Sequence, residues 1–470
     1  MLADLAAALR AEARAADERR LLVLAGERGA TVEAARTALD AAEVAPEDRT
    51  LVGERDAFPA ERVAPAHADR LLGRTREAVA VDCHDTCPPN VVGRSVGAVD
   101  GGGLYLLLTP PLDEWPDRSD GFDGSLAVPP HDAGDVGGRF RRRLVETLHA
   151  HRGVAVVDVD EGTVEADGLT DPAPRRPRPS PERPSDARFP DVAYDACLTA
   201  DQAEAVAALE ALAEPGSAVV LEADRGRGKS AAAGIAAAAL AAEGRDVLVT
   251  APAYRNAAEV FARAEAVLRD LGALVDARGD PARHLDAGDG SVRFRDLDDA
   301  ASEASDADVV LVDEAAAVPV RRLEALLDAD AVGFATTVHG YEGAGRGFDV
   351  RFRATLADGD RAVTDVTLHE PVRYARADPV ESWAFHALLL DARPAVDPLV
   401  ADARPESCEY VRPDQDALAA DEHLLREAVG LLVAAHYRTE PDDVARLLDA
   451  PNLSGRALTH DGHVASGALL

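Results

Sequence analysis

A chain of 470 residues with 47% apolar content can bury roughly two to four domain cores, which excludes a disordered protein. Its formal charge of −35, spread along the whole length, would ordinarily exclude a nucleic-acid partner, because phosphate binding needs a positive footprint. Abundant Asp, Glu and Ala with almost no Lys instead fit a protein built for a very salty cytoplasm; at ~1 M salt the screening length falls to ~3 Å, and net charge no longer decides the partner.

The opening MLADLAAALRAEARAADERR alternates apolar and charged residues at helical spacing and lacks the unbroken apolar core of a signal peptide. RRLLVLAG (19–26), AVAVD (78–82), LYLLLTP (104–110) and VAVVDVD (154–160) are short apolar runs with β-branched content and read as buried strands. Helical stretches such as TVEAARTALDAAE (31–43) separate them. The glycines of DGGGLYLLLTP (100–110) read as a turn before the strand, without the GK[ST] of a phosphate loop. DCHDTC (82–87) offers Cys83, His84 and Cys87, but no second Cys/His pair completes a tetrahedral shell, so thiols are expected there. FRRR (140–143) suits either RNA phosphates or a solvated helix face.

DPAPRRPRPSPERPSDARFP (171–190) is a linker, since its prolines deny both helix and ladder hydrogen bonds. A second α/β unit follows. The helix LTADQAEAVAALEALA (198–213) has Thr199 as its N-cap, and the strands SAVVLE (217–222), DVLVT (246–250), DVVLVDE (308–314) and AVGFATTVHGY (331–341) come after it. Alternation of strand and helix with short loops predicts a mostly parallel, doubly wound sheet. The longest near-apolar run, AAAGIAAAALAA (231–242), is well short of the ~20 residues that span a bilayer, so a cytoplasmic protein without membrane contact is expected. From about Glu409 the character changes. An amphipathic helix, DEHLLREAVGLLVAAHY (421–437), leads to RALTHDGHVASGALL (456–470), two strands around a DG turn. A hairpin alone does not finish a domain, and the sequence reads as truncated there.

ADRGRGKS (223–230) contains the only lysine of the chain. It follows the phosphate-loop pattern G-x-x-x-x-G-K-[ST] between strand and helix, with Ala223 in place of the first glycine. Gly226 and Gly228 let backbone N–H groups turn inward, and the helix N-terminus adds positive potential. Lys229 supplies a compact ammonium for β- and γ-phosphates, where a planar guanidinium would not fit, and Ser230 a hydroxyl for Mg²⁺. DVVLVDEAA (308–316) brings Asp313 and Glu314 to the carboxyl end of a strand in the same sheet; Asp313 would hold Mg²⁺ and Glu314 would orient the attacking water. Gln202 could read the adenine edge or be a solvated helix residue. The glycine-rich stretch 336–352 suits a loop that senses the γ-phosphate. Arg373 could complete the γ-phosphate shell or pair with a nearby acid.

Together LTADQ (198–202), ADRGRGKSAAAG (223–234), VTAP (249–252), DEAAAVP (313–319), TTVHGYEGAGRGF (336–348), EPVRYA (370–375) and GLLVAAHYRTEPDDVARLLDAPN (430–452) resemble the tRNA(Met) cytidine acetyltransferase family. The resemblance implies an α/β protein with a nucleotide-free N-terminal domain over 1–170 and the Pro/Arg-rich linker over 171–190. It further implies a helicase-like ATPase domain over 191–408 and the beginning of a GCN5-related acetyltransferase domain over 409–470. It implies ATP, Mg²⁺ and acetyl-CoA as cofactors and elongator tRNA(Met) as partner, acetylated at N4 of the wobble cytidine, with no DNA. Gln202, Arg225, Gly226, Arg227, Gly228, Lys229, Ser230, Ala231 and Arg373 become ATP contacts; Lys229, Asp313 and Glu314 become catalytic, and Ser230 and Asp313 the metal ligands. The family's glycine-rich acetyl-CoA loop has no counterpart, so no residue is assigned to that cofactor. A stand-alone RNA-stimulated ATPase or helicase is the alternative, against which HYRTEPDD and the unfinished last strand count.

Overall fold

A computed structural model describes residues 1–170, 179–337, 347–435 and 439–470. The chain divides into two compact units, one made of 1–176 with 373–470 and the other of 177–372.

In the first unit the strands are β1 (Arg20–Ala25), β2 (Arg49–Val52), β3 (Glu61–Val63), β4 (Arg76–Asp82), β5 (Val99–Thr109), β6 (Val154–Asp158) and β7 (Thr163–Asp167). They form one sheet in the order β3-β2-β4-β5-β1-β6-β7, parallel apart from β7. Leu21, Val23, Val79, Val81 and Leu107 pack into one core, while Leu22, Leu24, Ala80, Leu106 and Val157 pack into another. Both faces are therefore covered, which is why these strands read as unbroken apolar runs. The glycines expected to form a turn lie inside β5 instead. A Cβ on Gly101 would stand 2.2 Å from Asp17 Oδ1, so the strand passes the Asp17 turn too closely for any side chain. Cys83 and Cys87 are buried thiols, and burial pushes the Cys83 thiol well up. The FRRR run lies on the helix Arg139–Ala150, where Arg141 pairs with Asp123 at 2.9 Å and Arg143 binds Glu422.

The boundary expected at 409 is not where the units part. Val380, Trp383 and Leu388, on the helix Pro379–Leu388, belong to the same core as Leu21 and Val23. Asp378 explains this attachment. It caps that helix through the Glu381 N–H at 2.8 Å and accepts from Arg19 Nη2 at 2.8 Å, with the two side chains 0% and 1% exposed. Removing one partner of a buried pair strands the other charge, so Asp378→Ala should cost about 3–5 kcal/mol of stability. Denaturant unfolding followed by circular dichroism measures this; a loss below about 1 kcal/mol would place the anchor elsewhere.

The second unit contains β8 (Ser217–Ala223), β9 (Asp246–Thr250), β10 (Asp276–Gly279), β11 (Ala282–Asp286), β12 (Ser291–Phe294), β13 (Val309–Val312), β14 (Ala331–Thr337) and β15 (Ala362–Leu368). Their order is β10-β11-β12-β9-β13-β14-β8-β15, parallel from β12 to β15 and extended by the antiparallel β10 and β11. Val219, Leu221, Val249 and Leu311 face the core under the helices Ala200–Leu209, Lys229–Ala242 and Tyr254–Asp270. Val220, Leu248, Val310 and Phe334 face the opposite core, joined there by Phe348 and Phe352. This is the expected doubly wound arrangement. Most of β15 is exposed and carries no long apolar run, so its pattern does not announce a strand.

The first unit also carries a small antiparallel sheet of β16 (Glu409–Val411), β17 (Gly455–His460) and β18 (His463–Leu469), with the expected DG turn between the last two. Asp461 and Gly462 both have positive φ, 49° and 83°, as that turn requires. Among the described residues, no helix is long and apolar enough to cross a membrane.

Candidate phosphate-loop site

Sheet order sets the geometry of this site. β14 lies between β8, which leads into ADRGRGKS, and β13, which ends at Val312 just before Asp313. Ala223 closes β8 in register with Thr337 and Leu368 and is fully buried. The departure from the first glycine of the pattern is thus absorbed within the sheet.

Gly226 and Gly228 have φ of +77° and +84°, the left-handed region where a side chain strains the backbone. They need glycine for different reasons. Among the described residues, a Cβ on Gly226 would meet nothing within 4 Å, which leaves open space above it there. At Gly228 a Cβ would stand 2.6 Å from Gln202 Nε2 and 2.8 Å from Val372 Cγ1. Gln202 donates to the Gly228 carbonyl at 3.1 Å and accepts from the Leu198 N–H at 2.7 Å. The Val372 N–H donates to the Gly226 carbonyl at 3.0 Å. The loop is therefore braced from behind, and Gln202, 1% exposed, is one of its braces.

Lys229 opens the helix and is 8% exposed. Its Nζ donates to Glu314 Oε1 at 2.7 Å, and Thr337 Oγ1 donates to Glu314 Oε2 at 3.0 Å. Glu314 has a positive φ of 52°, a strained backbone for a non-glycine residue. Burial opposes its ionisation, yet the Lys229 ammonium and the Thr337 hydroxyl hold its carboxyl below the usual range. Asp313 behaves oppositely. Burial pushes its carboxyl up to about 6 against the pull of Lys229, and the Glu314 charge adds to the rise. The Ser230 hydroxyl favours its ionised form. Asp313 Oδ1 accepts from the Glu314 N–H at 3.0 Å, whereas the buried Oδ2 has no hydrogen-bond partner among the described residues.

Lys229, Ser230, Asp313 and Glu314 are thus brought together. Arg225 is exposed and adds to the positive field at Glu314, while Arg227 is buried 3.9 Å from Asp224. Ala231 is buried in the first turn of the helix. Arg373 belongs to the first unit, where its guanidinium donates to the Gly97 carbonyl at 3.0 Å. Most of the loop expected to sense the γ-phosphate, 338–346, lies outside the described residues, as do 171–178 of the linker. The residue missed by sequence reasoning is Thr337. Its signal was its place as the last residue of an apolar strand, which becomes informative only once that strand is known to lie beside β13.

Among the described residues, a cradle with open space above Gly226, an ammonium at its mouth and a buried carboxylate oxygen without a partner fit a nucleoside triphosphate with its divalent cation.

Residues 1–159 match the family described as tRNA(Met) cytidine acetyltransferase TmcA, N-terminal, and residues 220–391 the one described as RNA cytidine acetyltransferase NAT10/TcmA, helicase domain. The tRNA(Met) cytidine acetyltransferase TmcA of Haloarcula marismortui is 62% identical over 469 residues, covering 99% of this chain and 60% of its own length. That of Haloferax volcanii is 61% identical over 475 residues, covering 99% of this chain and 62% of its own length. That of Pyrococcus abyssi is 38% identical over 412 residues, or 83% of this chain and 48% of its own length. The chain thus spans less than two thirds of the length of each of these relatives. On the agreement of both family matches with these relatives, the chain belongs to the tRNA(Met) cytidine acetyltransferase family.

Proposed function

We propose that this chain binds and hydrolyses ATP as the motor part of a cytoplasmic enzyme that acetylates N4 of the wobble cytidine in elongator tRNA(Met). The observation that carries the ATP reading is the Lys229–Glu314 pair at 2.7 Å, at the mouth of the glycine cradle. In this reading Gly226, Gly228 and the first turn of the helix bind phosphate oxygens through backbone N–H groups, with Arg225, Arg227 and Ala231 beside them. Lys229 exchanges its carboxylate partner for phosphate. That exchange releases Glu314, still oriented by Thr337, to place the attacking water. Ser230 and Oδ2 of Asp313, which has no partner among the described residues, would hold Mg²⁺, which would offset charge on the phosphates. Gln202 supports this site by bracing the loop through the Gly228 carbonyl. Acetyl-CoA is the proposed acetyl donor. Residues 409–470 are read as the opening of the acetyltransferase domain, and no residue of this chain is assigned to the donor.

The test is phosphate release by the chain with Mg²⁺·ATP, with and without tRNA(Met), alongside mass spectrometry of the tRNA after addition of acetyl-CoA. The expected result is tRNA-stimulated phosphate release without N4-acetylcytidine. Acetyl transfer by this chain alone would show that a donor site had been overlooked, and failure to bind ATP would overturn the reading of the loop.

A further inference from the structure

The helix Glu422–Ala435 packs along β18 in the first unit, and three side chains with no part in nucleotide chemistry converge there. His423 and Glu427 are one turn apart on the same helix face, and His463 is the first residue of β18, just past the DG turn. Glu427 is only 6% exposed. Its Oε1 lies 2.8 Å from His463 Nδ1 and 3.4 Å from His423 Nε2, and one ligand atom from each of the three residues falls within 4.8 Å of the others. We propose that His423, Glu427 and His463 form a binding site for a first-row divalent transition-metal ion of the Zn²⁺ or Co²⁺ class.

Two features of the cluster support this. Metal–ligand bonds of ~2.0–2.2 Å put neighbouring ligand atoms ~3–3.5 Å apart, and the two distances from Glu427 Oε1 nearly meet that spacing before any adjustment. The carboxylate is also oriented from behind, because the Val464 N–H donates to Oε2 at 2.7 Å and leaves Oε1 aimed at both imidazoles. Such outer hydrogen bonds commonly hold metal-binding side chains in place. Two imidazole nitrogens and one carboxylate select a borderline ion over Mg²⁺, which prefers an all-oxygen shell, so this site is chemically distinct from the one proposed for ATP. Solvent would complete the coordination, since His423 stands at the surface. A bound ion would clasp the β17–β18 hairpin to the helix and stabilise the fold by linkage.

The test uses the 470-residue chain, stripped with EDTA and titrated with Co²⁺ while its visible absorption is followed, then back-titrated with Zn²⁺. One equivalent should bind, with a d–d band that Zn²⁺ abolishes and a rise in the unfolding temperature. His423→Ala removes an exposed side chain and should leave the fold intact while weakening binding at least tenfold; His463→Ala should weaken it further. His149→Ala, which removes a surface imidazole beside Glu165, should change nothing. Binding of no ion, or equal affinity in His423→Ala and the parent chain, would overturn the proposal and leave the trio as a hydrogen-bonded cluster. If His463→Ala fails to fold by circular dichroism, His423→Ala decides.

Discussion

Lys229→Ala should abolish ATP hydrolysis, and Lys229→Arg should lose most of it, on the order of 10²-fold, although the charge is kept. The reason is the space around the ammonium. Lys229 is 8% exposed, and the loop before it is braced by Gln202 and Val372, so the backbone cannot retreat to admit a planar fork. Arginine would also have to share one Glu314 oxygen that a single Nζ now reaches at 2.7 Å. Phosphate release measured beside nucleotide binding checks both effects. Turnover by Lys229→Arg near the parent rate would mean that the loop is softer than its bracing implies, and that the one lysine among 50 basic residues has another cause.

Glu314→Gln should slow hydrolysis by roughly 10² or more while leaving ATP affinity close to that of the parent chain. The amide keeps the size of the side chain and can still accept from Thr337, so the positive-φ turn at Glu314 should survive. The loss is the negative charge that pairs with Lys229. Phosphate must displace that partner, and removing it does not weaken phosphate binding. Equilibrium binding of a fluorescent ATP analogue, together with single-turnover hydrolysis, separates the two quantities. A collapse in affinity would reverse the assignment: Glu314 would be the residue that supports metal, and Asp313 the one that handles water. The buried Oδ2 of Asp313, without a hydrogen-bond partner among the described residues, makes the present assignment the natural one. A cation at Oδ2 would supply the charge compensation that Lys229 now gives mainly to Glu314.

Much of this protein was legible along the chain, because the information was local. Strands covered on both faces had to be apolar at every position, so LLVLA, VVL and VLV stood out against their surroundings. Gly226, Gly228, Lys229 and Ser230 are neighbours in sequence, and the conformations they require are their own. The DG turn of the last hairpin carries its signal in two residues. Other features depend on which distant segments meet. Thr337 matters because β14 is inserted between β8 and β13, an order that no strand encodes by itself. Residues 373–408 looked like a continuation of the ATPase domain, yet they join the first unit through Arg19 and Asp378, 359 positions apart. Gly101, Gly102 and Gly103 looked like a turn, because the close approach of Asp17 that demands a glycine at Gly101 inside β5 comes from another part of the chain. His423 and Glu427 show helical spacing in the sequence, but the third donor arrives from a strand whose register, set by pairing with β17, puts His463 beside them. Local conformational preference is written residue by residue, whereas the partner of a buried charge or a ligand set is settled only when packing closes the fold.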